Sequence, residues 1–265
     1  MTNNSIKDSL KFASIDIGSN AMRLLFCRVI EDKDSPKFIK ESLFRMPLRL
    51  GHDAFTDGVI SEENSMKLID TVGAFQLMIK AYDPIAFRSC ATAALRTALN
   101  GKKLVDEINA KVNVDLEIIS GNEEARIIMA NHIEDHLDPK KNYLYVDVGG
   151  GSTEISFISN RQKVSSKSFP IGSVRLLENQ VTENDWVDME KWINKNMSKH
   201  KGHFKAIGSG GNINKIFSMS QLKRKSEIDI STIQSVLDII EPLSIQNRIT
   251  QLGLRPDRAD VILHA

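Results

Sequence analysis

The sequence predicts an α/β protein built from two duplicated lobes, and three observations carry that expectation. An aspartate at the end of an apolar strand leads twice into a glycine-rich turn, first as Ser14-Ile15-Asp16-Ile17-Gly18-Ser19-Asn20 and again as Tyr145-Val146-Asp147-Val148-Gly149-Gly150-Gly151-Ser152-Thr153-Glu154. Each turn runs on into another apolar segment, so each half opens with strands around an Asp-Gly turn. Helical and strand periodicities then alternate along both halves, as in layered α/β architectures. The polar, proline-bearing Asp138-Pro139-Lys140-Lys141-Asn142 reads as a hinge. It gives lobes of 1–137 and 138–265, the second expected to be incomplete at its C-terminal end.

The elements follow in order. Strands are expected at 12–18, 22–30 and 38–48, the last with Pro47 near its end. Ser61 can cap a helix in which Met66, Ile69, Val72, Phe75 and Ile79 recur at helical spacing, and Asp83-Pro84 stops it. A short strand at 85–87 precedes an alanine-rich helical turn from Ala91 to Leu99. Asn100-Gly101 breaks the chain before a helix over 102–111. A strand at 116–119 leads to Ser120, the cap of a helix from Glu123 to about His136. The opening pattern then recurs, with strands at 143–148, 154–158 and 163–169, the last two joined by an Asn160-Arg161 hairpin turn. A short helix is expected at 171–175 and a longer one over 185–199. A strand at 204–207 ends in Gly208-Ser209-Gly210-Gly211 and feeds a helix over 212–219. Ser231 can cap a helix to Ile240, and Pro256 marks a helix that has barely begun.

Bulk properties narrow the function classes. The chain has 265 residues, 41% hydrophobic and 26% charged, ordinary for a soluble globular protein with a sizeable core. A formal net charge of +1 supplies no global field to steer the chain toward nucleic acid or a membrane surface, so any polyanion must meet local positive charge. The two cysteines, Cys27 and Cys90, are far apart in apolar surroundings and read as buried free thiols, as in a reducing compartment. The polar N-terminus and the lack of an 18-residue apolar stretch point to the cytoplasm, with no membrane partner. The two histidines of Lys199-His200-Lys201-Gly202-His203 lack a metal-ligand pattern, and the run reads as a solvated loop.

The candidate chemistry gathers at the glycine turns. Glycines let backbone N–H groups approach phosphate oxygens, and a carboxylate beside them can hold a divalent cation or a water. Asp16 and Asp147 occupy matching places; each could instead cap its own turn. Glu154 could help hold a metal or its water, or lie on the surface. Two readings stand for Glu123 and Glu124: first-turn residues favoured by the helix dipole, or a carboxylate placed to accept a proton from water. Arg23 and Arg96 could bind phosphate bidentately or be solvated. The third turn, at Gly208–Gly211, fits a further ligand wall at a helix start.

Several segments resemble the exopolyphosphatase and guanosine pentaphosphate phosphatase (Ppx/GppA) family. They are Asp16-Ile17-Gly18-Ser19-Asn20, Ala91-Thr92-Ala93-Ala94-Leu95-Arg96, Ile118 to Arg126 with its Glu123-Glu124-Ala125-Arg126, Asp147 to Glu154, Gly208-Ser209-Gly210-Gly211 and Leu254 to Asp260. The glycine turns alone are shared with actin, sugar kinases and heat-shock ATPases. The resemblance implies duplicated ribonuclease-H-like lobes with an interlobe cleft, and hydrolysis releasing terminal phosphate from polyphosphate or guanosine pentaphosphate. It implies Glu124 as general base, Asp147 and Glu154 as holders of magnesium or its water, and phosphate binding by the backbone of Gly149, Gly150, Gly151 and Ser152 and by Arg23 and Arg96; the reading of the turns themselves adds Asp16 as a ligand of magnesium or another divalent cation, and Gly18, Ser19, Asn20 and Gly210 as phosphate binders. The family often dimerises, so a homodimer belongs among the expected partners. Longer members carry a further helical domain, which this sequence does not reach. The alternatives are an alarmone-binding sensor with little turnover, or a small-molecule kinase of the same superfamily.

Overall fold

The computed structural model describes residues 9–31, 36–129, 137–200, 202–223 and 227–264. Contacts divide the chain into two compact units, Met1–Ser120 and Gly121–Ala265. The second unit therefore begins ahead of the polar 138–142 segment.

The first unit contains β1 (Leu10–Ile17), β2 (Met22–Ile30), β3 (Lys37–Met46), α1 (Leu50–Thr56), α2 (Glu62–Tyr82), β4 (Ala86–Ala91), α3 (Ala93–Thr97), α4 (Gly101–Val112) and β5 (Leu116–Ile118). Its sheet runs β3-β2-β1-β4-β5, with β1–β2 and β2–β3 antiparallel and β1–β4 and β4–β5 parallel. Ala13, Ile15 and Ile17 of β1 are buried. Ser14 and Asp16 alternate with them and project from the other face. The α2 helix starts where Ser61 Oγ accepts from Asn64 N–H, buries Leu68, Val72, Phe75 and Ile79 at helical spacing, and ends at Asp83 in the left-handed region.

The second unit contains α5 (Gly121–Met129), β6 (Asn142–Val148), β7 (Thr153–Ser159), β8 (Gln162–Phe169), α6 (Ser173–Leu177), α7 (Glu183–Met197), β9 (Phe204–Ser209), α8 (Gly211–Met219), α9 (Ile230–Ile240), α10 (Ile245–Thr250) and α11 (Pro256–Ala259), then a 3-10 turn at Ile262–His264. Its sheet runs β8-β7-β6-β9. All of β7 is buried, and α5 packs against β7 and β8. Asn160 and Arg161 both take positive φ, 51° and 60°, the geometry that a two-residue hairpin turn requires. Ile155, Phe169 and Ile171 form one core with Trp192 and Met189 of α7. Ile216, Val236, Ile240, Leu254, Ala259 and Ile262 form another.

The duplication is exact to the residue where it matters. The strands β1, β2, β3 and β4 correspond in order and direction to β6, β7, β8 and β9. Even the register shift repeats, falling just after Phe26 and just after Phe157, each ten residues beyond its turn aspartate.

The structure departs from the sequence reading in several places. The α1 helix was not expected: Arg49 at its N-cap takes φ 54° and ψ 37° without a side-chain cap, so no start signal precedes it. The β4 strand extends through Arg88-Ser89-Cys90 to Ala91 because it pairs with both β1 and β5. Asp229, rather than Ser231, caps α9 by accepting from Thr232 N–H at 2.7 Å. The short α10 was also unread. The expected helix running to His136 is described through Met129, and its remainder lies outside the described residues. Cys27 and Cys90 are free but half-buried rather than buried. Among the described residues no helix is long and apolar enough to cross a membrane.

Candidate active site

In the second unit the β6–β7 ladder pairs Asp147 with Glu154. Residues directly opposite on antiparallel strands project from the same face with Cβ atoms about 4.5–5.5 Å apart. The row continues on both sides, since Glu154 pairs with Ser168 of β8 and Asp147 with Ser209 of β9. Glu154 is 4% exposed, and its Oε1 accepts from Ser168 Oγ at 2.7 Å. One buried carboxylate is thus fixed in rotamer beside a second, half-buried one.

The turn between them is braced from behind. Gly149 N–H donates to Ser152 O at 2.9 Å, closing the turn. Ser173 N–H donates to Gly149 O at 3.0 Å and Val174 N–H to Gly150 O at 2.8 Å, while Arg175 Nε donates to Gly151 O at 2.8 Å. Three successive carbonyls therefore point at the start of α6. In a trans peptide the N–H points opposite to its own carbonyl. The amides of Gly150, Gly151 and Ser152 consequently face away from α6, an arrangement suited to anion oxygens. Gly172 permits the close approach, because a Cβ there would lie 2.5 Å from Gly150 O. Gly210, at φ 106°, sits where a Cβ would fall 3.2 Å from Asp147 Oδ1 and 2.9 Å from Val148 O, so the third glycine turn does line the same aspartate.

Glu123 and Glu124 both lie in the first turn of α5. Glu123 is ion-paired with Arg126, at 2.7 Å. Glu124 is half-buried on the same helix start.

The first unit repeats the turn with different charges. Gly18 N–H donates to Ala21 O at 3.1 Å, and Gly51 N–H of α1 donates to Ser19 O at 2.7 Å. The residue opposite Asp16 is Arg23, whose Nη1 donates to Asp16 Oδ2 at 2.7 Å. Arg96 of α3 is half-buried, and its Nη1 donates to Ile119 O at 2.8 Å, tying α3 to the end of β5. Asp16, Gly18, Ser19, Asn20 and Arg23 thus cluster at one turn in the first unit. Asp147, Gly149, Gly150, Gly151, Ser152, Glu154 and Gly210 cluster at the equivalent turn in the second.

Sequence reasoning missed Ser168 and Arg175. Each acts on a residue far along the chain, through a register or a crossing that local patterns do not display.

The donor set around Asp147 is all oxygen, carboxylate with serine hydroxyls in the same row. That chemistry fits a hard cation such as magnesium, which keeps its waters and takes one or two protein carboxylates plus substrate phosphates. Among the described residues no three His, Cys, Asp or Glu side chains converge on one metal position.

The family model of the Ppx/GppA phosphatase family matches residues 30–265. The chain belongs to the Ppx/GppA phosphatase family. A bifunctional 3-dehydroquinate synthase/phosphatase of Fusobacterium nucleatum is 30% identical over 288 residues, covering 97% of this chain and 42% of that protein. Exopolyphosphatase 1 of Mycobacterium tuberculosis is 24% identical over 192 residues, 68% of this chain and 55% of that one. The Ppx/GppA chain described here therefore spans about half the length of these curated relatives. An exopolyphosphatase structure from Cytophaga hutchinsonii aligns with a TM-score of 0.77 at 22% identity, covering 96% of this chain and 86% of that one. The Aquifex aeolicus Ppx/GppA family member aligns at 0.71 with 24% identity, covering 97% and 87%. At these identities the alignments establish the α/β fold that the Ppx/GppA members share.

Proposed function

We propose that this chain hydrolyses a terminal phosphoanhydride bond, releasing phosphate from inorganic polyphosphate or guanosine pentaphosphate. The braced glycine turn carries this reading. With the Gly149, Gly150 and Gly151 carbonyls held by the α6 segment, the amides of Gly150, Gly151 and Ser152 are oriented in advance. Preoriented amides stabilise charge on phosphate oxygens without reorganising during the reaction. Phosphoryl transfer asks mainly for such positioning and charge neutralisation.

The remaining roles follow from residue chemistry. Glu124 accepts the proton of the attacking water. Asp147 and Glu154 hold magnesium or another divalent cation, which when bound offsets the charge on the transferred phosphate. Gly210 leaves room beside Asp147. In the first unit the Gly18-Ser19-Asn20 turn and the guanidiniums of Arg23 and Arg96 bind phosphate, with Asp16 orienting Arg23 through their ion pair.

The test is phosphate release in magnesium from short polyphosphate, long polyphosphate and guanosine pentaphosphate, side by side. Release from at least one, abolished by chelation, supports the reading. Folded protein that releases phosphate from none of them refutes it.

A further inference from the structure

A bulge decides which residue stands beside Glu154. At the hairpin end of the β7–β8 ladder Ser159 pairs with Gln162 and Ile158 with Lys163, and past the register shift Phe157 pairs with Ser165. Val164 is the extra residue, with no partner across the ladder. Had the hairpin register run on unbroken, Lys167 would stand opposite Glu154. With Val164 inserted, Ser168 takes that place. Lys167 then faces the other side of the sheet, its ammonium 4.8 Å from the centre of the Phe169 ring.

The exchange matters for charge. A lysine opposite Glu154 would neutralise it, as Arg23 neutralises Asp16 across the β1–β2 ladder at 2.7 Å. A serine hydroxyl brings a donor and no charge. Ser168 Oγ donates to Glu154 Oε1 at 2.7 Å, so a buried carboxylate is supported without being cancelled. The two oxygens of a carboxylate diverge from one carbon, and holding Oε1 toward β8 therefore also settles the direction of Oε2. On the far side of β7 from β8 lies β6, with Asp147.

We propose that Ser168 is a positioning residue, which fixes the Glu154 carboxylate in the orientation that holds a divalent cation together with Asp147. This rests on the functional reading above and deepens it: the bulge at Val164 places a neutral donor where a competing cation would otherwise stand.

The test compares the wild-type chain with Ser168→Ala, Ser168→Thr, Ser168→Val and a control, Ser165→Ala, over a series of free magnesium concentrations. Two readouts are taken, the melting temperature and the phosphate released from short polyphosphate or guanosine pentaphosphate, whichever the wild type turns over. Loss of a hydrogen-bonding partner of a metal-holding group should raise the magnesium midpoint of both readouts about 10- to 100-fold in Ser168→Ala and Ser168→Val. Ser168→Thr keeps the hydroxyl and should stay within about threefold of wild type. Threonine and valine have nearly the same shape, so that pair decides the point if the alanine variant does not fold. Ser165 lies on the same strand, and its Oγ donates to Asn196 Oδ1 at 2.8 Å. Ser165→Ala should melt lower with its magnesium midpoints unmoved. Wild-type midpoints in Ser168→Ala and Ser168→Val, or an equal rise in Ser165→Ala, overturn the positioning role and leave the functional reading standing. A folded wild type that neither releases phosphate nor melts higher in magnesium overturns the functional reading, and the role of Ser168 with it.

Discussion

Glu154 stands directly opposite Asp147 in the β6–β7 ladder, whereas the residue in the same place opposite Asp16 is Arg23. The same seven-residue spacing separates both pairs. In the first unit the pair neutralises itself through a 2.7 Å ion pair. In the second, two carboxylates share one face, and a carboxylate pair is a place for a cation. The duplicated scaffolds thus present different charge pairs through a single register position.

The carboxylate pair should cost stability and give function. Like charges directly opposed in a ladder are destabilising by a few tenths to about 1 kcal/mol. Asp147→Asn should therefore melt no lower than wild type in metal-free buffer, while losing on the order of 10² or more in phosphate release. Magnesium should raise the melting temperature of wild type and leave that of the variant unmoved. A variant that melts lower without metal and still responds to magnesium would sink the assignment.

Glu124 is separable from its neighbour. Glu123 is ion-paired with Arg126 one turn along the helix, and loss of that pair in Glu123→Gln should cost about 0.3–0.5 kcal/mol. Glu124→Gln should lower the rate of phosphate release by about 10²–10⁴, with circular dichroism unchanged. Comparing the two variants in one assay decides the point: equal rates in both would remove Glu124 from the role of base.

Gly172 tests the brace. An alanine Cβ at this position would sit 2.5 Å from Gly150 O and 2.6 Å from Gly151 N, both backbone atoms that no rotamer change can move. Gly172→Ala should push the turn off α6, turn the Gly151 and Ser152 amides, and cut phosphate release by about 10²-fold, the usual cost of one misplaced oxyanion donor. Retention of wild-type turnover would show that the amides are not held by this contact.

How much of this was legible in the sequence follows from distance along the chain. The Asp-Gly turns, the Ser61 cap and the Asn160-Arg161 hairpin are local, and each has its own residue signature. The partner of Glu154 is fourteen residues away and depends on a bulge after Phe157, so Ser168 could not be read from the pattern. The Arg23–Arg45 pairing depends on register in the same way. Arg175 reaches Gly151 across a crossover from β8 to α6, and α1 starts from a left-handed arginine instead of a capping residue.

Asp53 provides a prediction independent of the chemistry. It is buried on α1, and its Oδ2 accepts from Ser61 N–H at 2.9 Å, Ser61 Oγ at 2.6 Å and Asn64 Nδ2 at 2.8 Å, joining α1 to the start of α2. Burial pushes its carboxyl up, but the hydrogen bonds from Ser61 and Asn64, helped by nearby His52, outweigh burial and hold it below the ordinary range. A carboxyl lowered in the folded state contributes stability that is complete above its unfolded value, near 3.9, and is lost as pH falls through the folded value. Asp53→Asn removes the charge, and should cost about 1.5–3 kcal/mol at pH 7, the range for hydrogen bonds to a charged group. Because asparagine does not titrate, the gap between the urea stabilities of wild type and variant should stay constant from pH 7 to about 5 and close below pH 4. A gap that persists undiminished at pH 3 would mean that the three donors act on Asp53 through shape alone and not through its charge.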